Sequence, residues 1–440
     1  MTNVFHRNPH SQPPIATGGR GMYLMDASGK TYIDASGGAA VSCLGHGDPD
    51  VIRAIQEQTE ALAFAHTGFF SSKPAEDLAD FLIGRAPPEF GKAFFVSGGS
   101  EAVEAALKLA RQYHVERGQL QRSKFIARRQ SFHGNTLGAL AAGGNEWRRK
   151  QFEPVLFDVS HIAPCFAYRE QINTETEEQY GFRVANELET EILNLGESNV
   201  AAFIAETVVG ATAGAVTAVP GYFKRIREIC DKYGVLLILD EVMCGLGRTG
   251  SFFAFEQEGI VPDMVTVAKG LGGGYQPIGA LLCTDTIYST ICAGSGFFQH
   301  GHTYMGHPIG CAGSLAVMKA IMERGLIENV RNMGNYLELA LNKTFGDHPH
   351  IGDIRGRGLF RALEIVKERK TKKPFDPALR INIEIKKITL NNGMICYPMG
   401  GTIDGEKGDH ILLAPPFIVT KKDINTIVSI LETSLNSLES

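Results

Sequence analysis

Two runs decide the fold of this chain: residues 234–250, GVLLILDEVMCGLGRTG, and residues 264–280, MVTVAKGLGGGYQPIGA, linked through Pro262-Asp263. Each opens on an apolar stretch that ends on a charge. Leu236 to Leu239 lead to Asp240, and Met264 to Ala268 lead to Lys269. Short continuous apolar runs bounded by turn residues predict strands buried on both faces of a parallel sheet. Ligands of such sheets sit beyond the carboxyl ends of the strands. Asp240 and Lys269 are therefore expected at one site, each carried by a rigid element.

An acid and an amine presented together suit one chemistry in particular. A lysine amine forms a Schiff base with an aldehyde cofactor, and pyridoxal phosphate enzymes pair that lysine with an acid at the pyridinium nitrogen. Taken alone, the pair also reads as a buried Asp–Lys ion pair or as two solvated strand ends.

The bulk of the chain narrows the field. It has 440 residues and a net charge of −5, so it carries no basic footprint for nucleic acid or an acidic membrane surface. The length predicts two or three domains, or one large domain with an appendage. None of the eight cysteines forms a CxxC pair, which favours reduced, mostly buried thiols. The N-terminal residues 1–14 lack an apolar signal-type core, and no apolar run approaches the roughly 20 residues a membrane span needs. The expectation is a cytoplasmic protein.

Working outward, residues 22–34 predict a hairpin turning at Ser28-Gly29, after a polar arm over residues 1–20. Asp50 is a candidate cap for the helix that follows. Residues 92–96 form a strand, then Ser97-Gly98-Gly99-Ser100-Glu101 opens an amphipathic helix over 102–118. Free N–H groups and the helix dipole make that junction an anion site, with glycines that let a phosphate come close; a plainly capped helix reads the same way. Residues 124–127 form the next strand and deliver Phe132 and His133. An aromatic there can stack on a flat ring or belong to the core. Residues 145–185 are expected to be irregular, with a helix over 184–195. The strand 200–205 ends on Glu206-Thr207, residues 210–214 form a flexible turn, and a helix covers 221–233. Strands alternating with helices predict an α/β fold with a mostly parallel central sheet.

The C-terminal part is mixed. Residues 294–308 hold His300, His302 and His307, with no carboxylate or thiolate at a metal-site spacing. Helices are expected over 308–322, 327–344, 374–391 and 420–438. An edge strand is expected within 352–365, and strands at 394–397 and 411–414 flank a loop rich in Gly and Asp. The division expected is an N-terminal arm and part of a small domain (1–60), a large cofactor-binding domain (61–320) and a C-terminal small α+β domain (321–440).

A phosphate site, a stacking aromatic, an acid for a ring nitrogen and a Schiff-base lysine thus fall at strand ends of one α/β region. At this point the chain resembles class III (omega-type) aminotransferases, pyridoxal 5'-phosphate enzymes of fold type I. The two opening runs match their signature, and SGGSEAVEAALKLAR, SFHG, HGHTYMGHP, GDIRGRGLF and LLAPPFIVT follow in the family's order. The resemblance implies that Lys269 carries the cofactor and shuttles the proton, and that Asp240 pairs with the pyridine nitrogen. It implies that Val242 and Phe132 pack on the two ring faces, that Gly99 and Ser100 hold the phosphate, and that His133 and Glu206 line the site. Thr303 would reach the phosphate of a neighbouring subunit, which makes the active form a homodimer.

Three positions depart from the family. Thr207 follows Glu206 where relatives often have Pro. Tyr397 stands where many carry an arginine for the substrate carboxylate, and a hydroxyl cannot make that bidentate, charged contact. The loop 401–408 is longer. Arg128, Arg129, Arg169 and Arg361 are candidate substitutes. Leu44, His46, Phe69, Phe70, Phe132, Trp147 and Tyr397 are candidates for the substrate pocket. The resemblance implies ping-pong transfer of an amino group from an amine or omega-amino acid to a 2-oxo acid such as pyruvate or 2-oxoglutarate. Racemase, aminomutase or decarboxylating aminotransferase chemistry on the same scaffold is the alternative, and a binding protein without turnover is a third reading.

Overall fold

The structure, a computed structural model, describes residues 2–437. Seven strands form the central sheet in the order Phe90–Val96, Gly279–Thr284, Met264–Val267, Leu236–Asp240, Val200–Glu206, Lys124–Arg128, Ser160–Ile162. All pairings from Met264–Val267 to Ser160–Ile162 are parallel, and Gly279–Thr284 runs antiparallel to both its neighbours. The central strands Val200–Glu206, Leu236–Asp240 and Met264–Val267 are mostly apolar because both faces are covered. Phe203, Leu237, Leu239 and Val265 enter one core with the helices Glu177–Leu195 and Tyr222–Tyr233. Their neighbours Ala202, Ile204, Leu236, Ile238 and Met264 enter a second core with the helix Gly99–Glu116. Alternate side chains thus point to opposite layers, as the two-residue period of a strand requires.

Two smaller sheets bring the chain ends together. Ala16–Arg20, Tyr23–Asp26 and Thr31–Asp34 are joined by Met394–Ile395, which pairs in parallel with Thr31–Asp34. The other sheet has the order Ile351–Arg357, Phe360–Ile365, Asp409–Leu413, Tyr397–Gly400. The chain changes sheets at Cys396, so the segment expected as one strand over 394–397 is two.

Other differences have local causes. The cap of the helix Pro49–Ala61 is Asp48, whose carboxylate accepts from the N–H groups of Asp50 and Val51, with Pro49 at the first helical position. Asp50 lies inside the helix. Residues 145–185 are more regular than expected: Ser160–Ile162 adds an edge strand, and the second long helix begins at Glu177 through a Thr176/Gln179 capping box. Residues 210–214 form the expected turn, closed by Gly214 N–H on the Gly210 carbonyl at 2.8 Å, but a buried one. They are buried between the strands Val208–Val209 and Val216–Thr217, and Arg355 Nε donates to the Gly214 carbonyl at 2.6 Å. Residues 352–365 give a hairpin, turned by Gly358 at φ +54, whose second strand is interior to its sheet. The helix expected over 374–391 starts only at Ile381. The last helix runs Lys421–Asn436, and Leu438 lies outside the described residues.

Candidate active site

The parallel register sets the centre of the site. Asp240 pairs laterally with Glu206 on one side and Thr266 on the other, so two carboxylates end neighbouring strands. Asp240 Oδ1 accepts from the Val242 N–H at 3.0 Å, and Oδ2 meets His133 Nδ1 at 2.8 Å. With an ionised carboxylate, the proton of that contact sits on Nδ1, and His133 fixes the acid's orientation. The other ring nitrogen of His133 is buried without a hydrogen-bond partner.

Glu206 is tied by two backbone donors, Phe132 N–H at 2.9 Å and Gly210 N–H at 2.7 Å. Burial pushes its carboxyl up, against the pull of His133. Thr207 turns its hydroxyl to the buried Glu241 at 2.8 Å, and that carboxylate also accepts from the N–H groups of Ala254 and Phe255, each at 2.7 Å. The departure at residue 207 therefore ties the strand end to the segment after Asp240.

Lys269 leaves its strand in a left-handed conformation, φ +47, which is unfavourable for a side chain with a Cβ. A short 3-10 turn follows, and the Lys269 carbonyl accepts from the N–H groups of Gly272 and Gly273 at 3.0 Å. Burial pushes the ammonium down, while Asp240 and Glu206 hold it up. A lysine in that balance keeps more of the neutral, nucleophilic amine than a solvated one.

The helix Gly99–Glu116 starts beside this group without a side-chain cap, so its first N–H groups keep their capacity for an anion. Glycine is required at 99 because a Cβ there would lie 2.9 Å from Val242 Cγ1. The loop carrying Phe132 and His133 is seated on the same helix. Ser100 Oγ accepts from Asn135 N–H at 3.0 Å, and Gly134, at φ +135, would place a Cβ 2.8 Å from Ser100 Cα.

Gly99, Ser100, Phe132, His133, Glu206, Asp240, Val242 and Lys269 line one cleft of about 330 Å³. Thr303 is exposed and lies outside it. Val41, Asn135, Met243 and Gln276 also line the cleft and were not singled out from the sequence. Val41 and Gln276 lie in Gly-rich segments whose composition marks close backbone approach, which was the available signal. Of the pocket candidates only Phe132 faces this cleft. Leu44 is core, His46 pairs with Asp34 at 3.2 Å, and Phe69, Phe70 and Trp147 are exposed.

The candidate arginines are engaged elsewhere. Arg128 donates to the Glu206 carbonyl, Arg129 to the His161 carbonyl, Arg169 pairs with Glu364 and Arg361 with Glu338. Arg248 of the GLGRTG run is a structural anchor: buried, it donates to the carbonyls of Leu359 and Pro415 and lies 4.5 Å from the Phe417 ring centroid.

A helix start open to a phosphate, an acid for a ring nitrogen, an aromatic wall and a poised amine fit pyridoxal phosphate, and they define a fold type I enzyme of that cofactor. The chain belongs to the class III aminotransferases: the sequence profile described as Aminotransferase class-III matches residues 5–435. It is 47% identical over 439 residues to an uncharacterized aminotransferase of Schizosaccharomyces pombe, covering 99% of this chain and 95% of the relative. It is 37% identical to gamma aminobutyrate transaminase 3, chloroplastic, of Solanum lycopersicum, covering 95% and 79%. The omega transaminase of Pseudomonas jessenii, solved in complex with PMP, superposes with a TM-score of 0.92 at 33% identity, covering 98% of this chain and 96% of that one. The protein is a pyridoxal-phosphate-dependent aminotransferase. No helix among the described residues is long and apolar enough to cross a membrane.

Proposed function

We propose that this aminotransferase takes an amino group from an amine or omega-amino acid and passes it to a 2-oxo acid such as pyruvate or 2-oxoglutarate, in a ping-pong sequence within a homodimer. The observation that carries the reading is the convergence of the Lys269 amine, the Asp240–His133 pair and the Gly99–Ser100 helix start on one cleft. The bound cofactor supplies an electron sink for the pair released when a proton leaves the substrate carbon. Asp240 holds a proton on the ring nitrogen, and His133 keeps that carboxylate aimed. Lys269 would hold the cofactor through its amine and, once released, would act as the base that takes the proton from the donor's carbon. Val242 and Phe132 confine the ring, Gly99 and Ser100 bind the phosphate, and Glu206 borders the ring. Thr303, exposed on its own protomer, serves the phosphate of the partner's site. The name of the tomato relative, a gamma aminobutyrate transaminase, supports an omega-amino acid as donor. Eight free cysteines, seven of them buried, support a cytoplasmic location.

The test is a visible spectrum of the cofactor-loaded protein during titration with a panel of amines and no oxo acid. Transamination is expected to discharge the long-wavelength band to that of pyridoxamine phosphate, and a 2-oxo acid then restores it. If no amine discharges a band that Lys269→Ala lacks, racemase or aminomutase chemistry replaces this reading.

A further inference from the structure

One cation at the edge of the cleft has no counter-charge in contact. Arg148 is half-buried in the one-turn helix Glu146–Arg149, and its guanidinium lies 4.6 Å from the centroid of the Phe132 ring, the ring that lines the cleft. Among the described residues the guanidinium makes no hydrogen bond and no ion pair; its contacts are the faces of Phe132 and Trp147. Burial pushes it down, Tyr397 and Glu206 favour its charge, and Arg7 opposes it. The charge reaches Lys269, where it works against protonation of the amine. A half-buried guanidinium whose neighbours are rings keeps its N–H donors for an anion, and a planar carboxylate matches them with two hydrogen bonds.

The helix that carries Arg148 is built in from behind. Asn145 Oδ1 accepts from the Arg148 N–H at 3.2 Å, Asn145 Nδ2 donates to Gln130 Oε1 at 2.8 Å, and Gln130 Nε2 donates to the Gly401 carbonyl at 3.1 Å. Gly405 is packed so closely that a Cβ would lie 2.9 Å from the Trp147 nitrogen. The long loop 401–408 thus lies against the helix that carries Arg148, and Tyr397, in the arginine position, acts on the same charge.

We propose that Arg148, lying over Phe132 on a helix backed by the loop 401–408, binds the carboxylate of the amino-acid and 2-oxo-acid substrates. The proposal rests on the transamination reading above. Each substrate presents its carboxylate to the guanidinium edge while its amine or carbonyl faces Lys269, so one clamp serves both halves of the exchange.

The test compares wild type, Arg148→Gln and Gly405→Val, each loaded with cofactor. Half-reactions are followed with 4-aminobutyrate and with butylamine, which keeps the chain and lacks the carboxylate, then with 2-oxoglutarate. Glutarate, which has neither amine nor carbonyl, is titrated as a non-reacting ligand through its perturbation of the cofactor's visible band. In Arg148→Gln the half-saturating concentrations of 4-aminobutyrate and 2-oxoglutarate are expected to rise about tenfold or more beyond any change for butylamine, and glutarate binding to weaken by a similar factor, the scale of one bidentate charged contact. Gly405→Val, which displaces the helix from behind, is expected to shift the same quantities in the same direction by less. Equal changes for both donors, or unchanged glutarate binding in both variants, overturn the proposal. If no donor discharges even the wild type, the transamination reading fails, and the glutarate titration still decides the role of Arg148.

Discussion

His133 meets Asp240 at 2.8 Å, and among the described residues its remaining ring nitrogen has no hydrogen-bond partner. The acid is therefore oriented by a backbone donor, Val242 N–H, and by one side-chain hydrogen bond that a swap at His133 can remove. Asp240→Asn is expected to lower turnover by about a hundredfold or more, the scale of losing one preorganised charged group in a water-poor site. His133→Ala leaves the carboxylate in place and is expected to cost less, about tenfold, read as kcat in the donor half-reaction. Lys269→Ala is expected to abolish both the long-wavelength band and turnover, while the apoprotein unfolds within about 1 kcal/mol of wild type in urea, because a strained left-handed residue is replaced by another non-glycine.

Elements position these residues through close backbone approach. Gly134 carries Phe132 and His133 against the start of the helix Gly99–Glu116, at a φ of +135 with Ser100 atoms 2.8 Å from any Cβ. Gly134→Ala is expected to displace that loop and weaken cofactor retention about tenfold, measured by dialysis against buffer, with a stability loss of about 1–3 kcal/mol for the strained backbone. In the Asp409–Leu413 strand, His410 is buried against Gly214, its Nδ1 is 2.7 Å from Thr402 Oγ1, Arg355 acts on its charge, and Glu364 is its cross-strand partner. Burial pulls its ring down to about 3. The unfolded ring takes a proton near the usual histidine value and the folded ring only near 3. This contribution to stability is whole above the unfolded value and drains as pH falls toward the folded one, at up to about 1.4 kcal/mol per pH unit. His410→Asn is expected to flatten the fall of the urea midpoint between neutral and mildly acidic pH. His161, lowered to about 4 by burial, acts in the same direction and leaves a residual slope.

At the scale of the molecule, the cleft is lined by residues of one chain, and Thr303 is exposed outside it. In the proposed homodimer each site takes Lys269 from one subunit and Thr303 from the other. Dimers formed by mixing Lys269→Ala chains with Thr303→Arg chains therefore contain one site with both defects and one with neither. Each mixed dimer is expected to regain about half the wild-type activity, and a randomly exchanged equimolar mixture about a quarter, where each parent alone is inactive or weak. No recovery after subunit exchange, checked by mass, would place Thr303 outside the partner's site.

The central sheet and its two catalytic strand ends were legible along the chain, because apolar runs that end on Asp240 and Lys269 are local patterns set by burial on both faces. The helix start at Gly99 and the loop with Phe132 were legible for the same reason: glycines at tight approaches leave their mark in the sequence. The tail was less legible. The edge strand Ser160–Ile162, the switch of sheets at Cys396 and the interior place of Phe360–Ile365 depend on partners far along the chain, and pairing leaves little trace in a short strand's own residues. The substrate side depended most on tertiary structure. Four arginines were equal candidates by type, and each is engaged elsewhere. Only packing shows Arg148 on the face of Phe132, braced by a loop more than 250 residues away in the sequence. By itself the sequence determined the family and its chemistry, because the residues proposed to hold the cofactor sit at the ends of locally coded strands. The tertiary structure decided which cation is left free to meet a substrate, because that depends on what every other charge has already paired with.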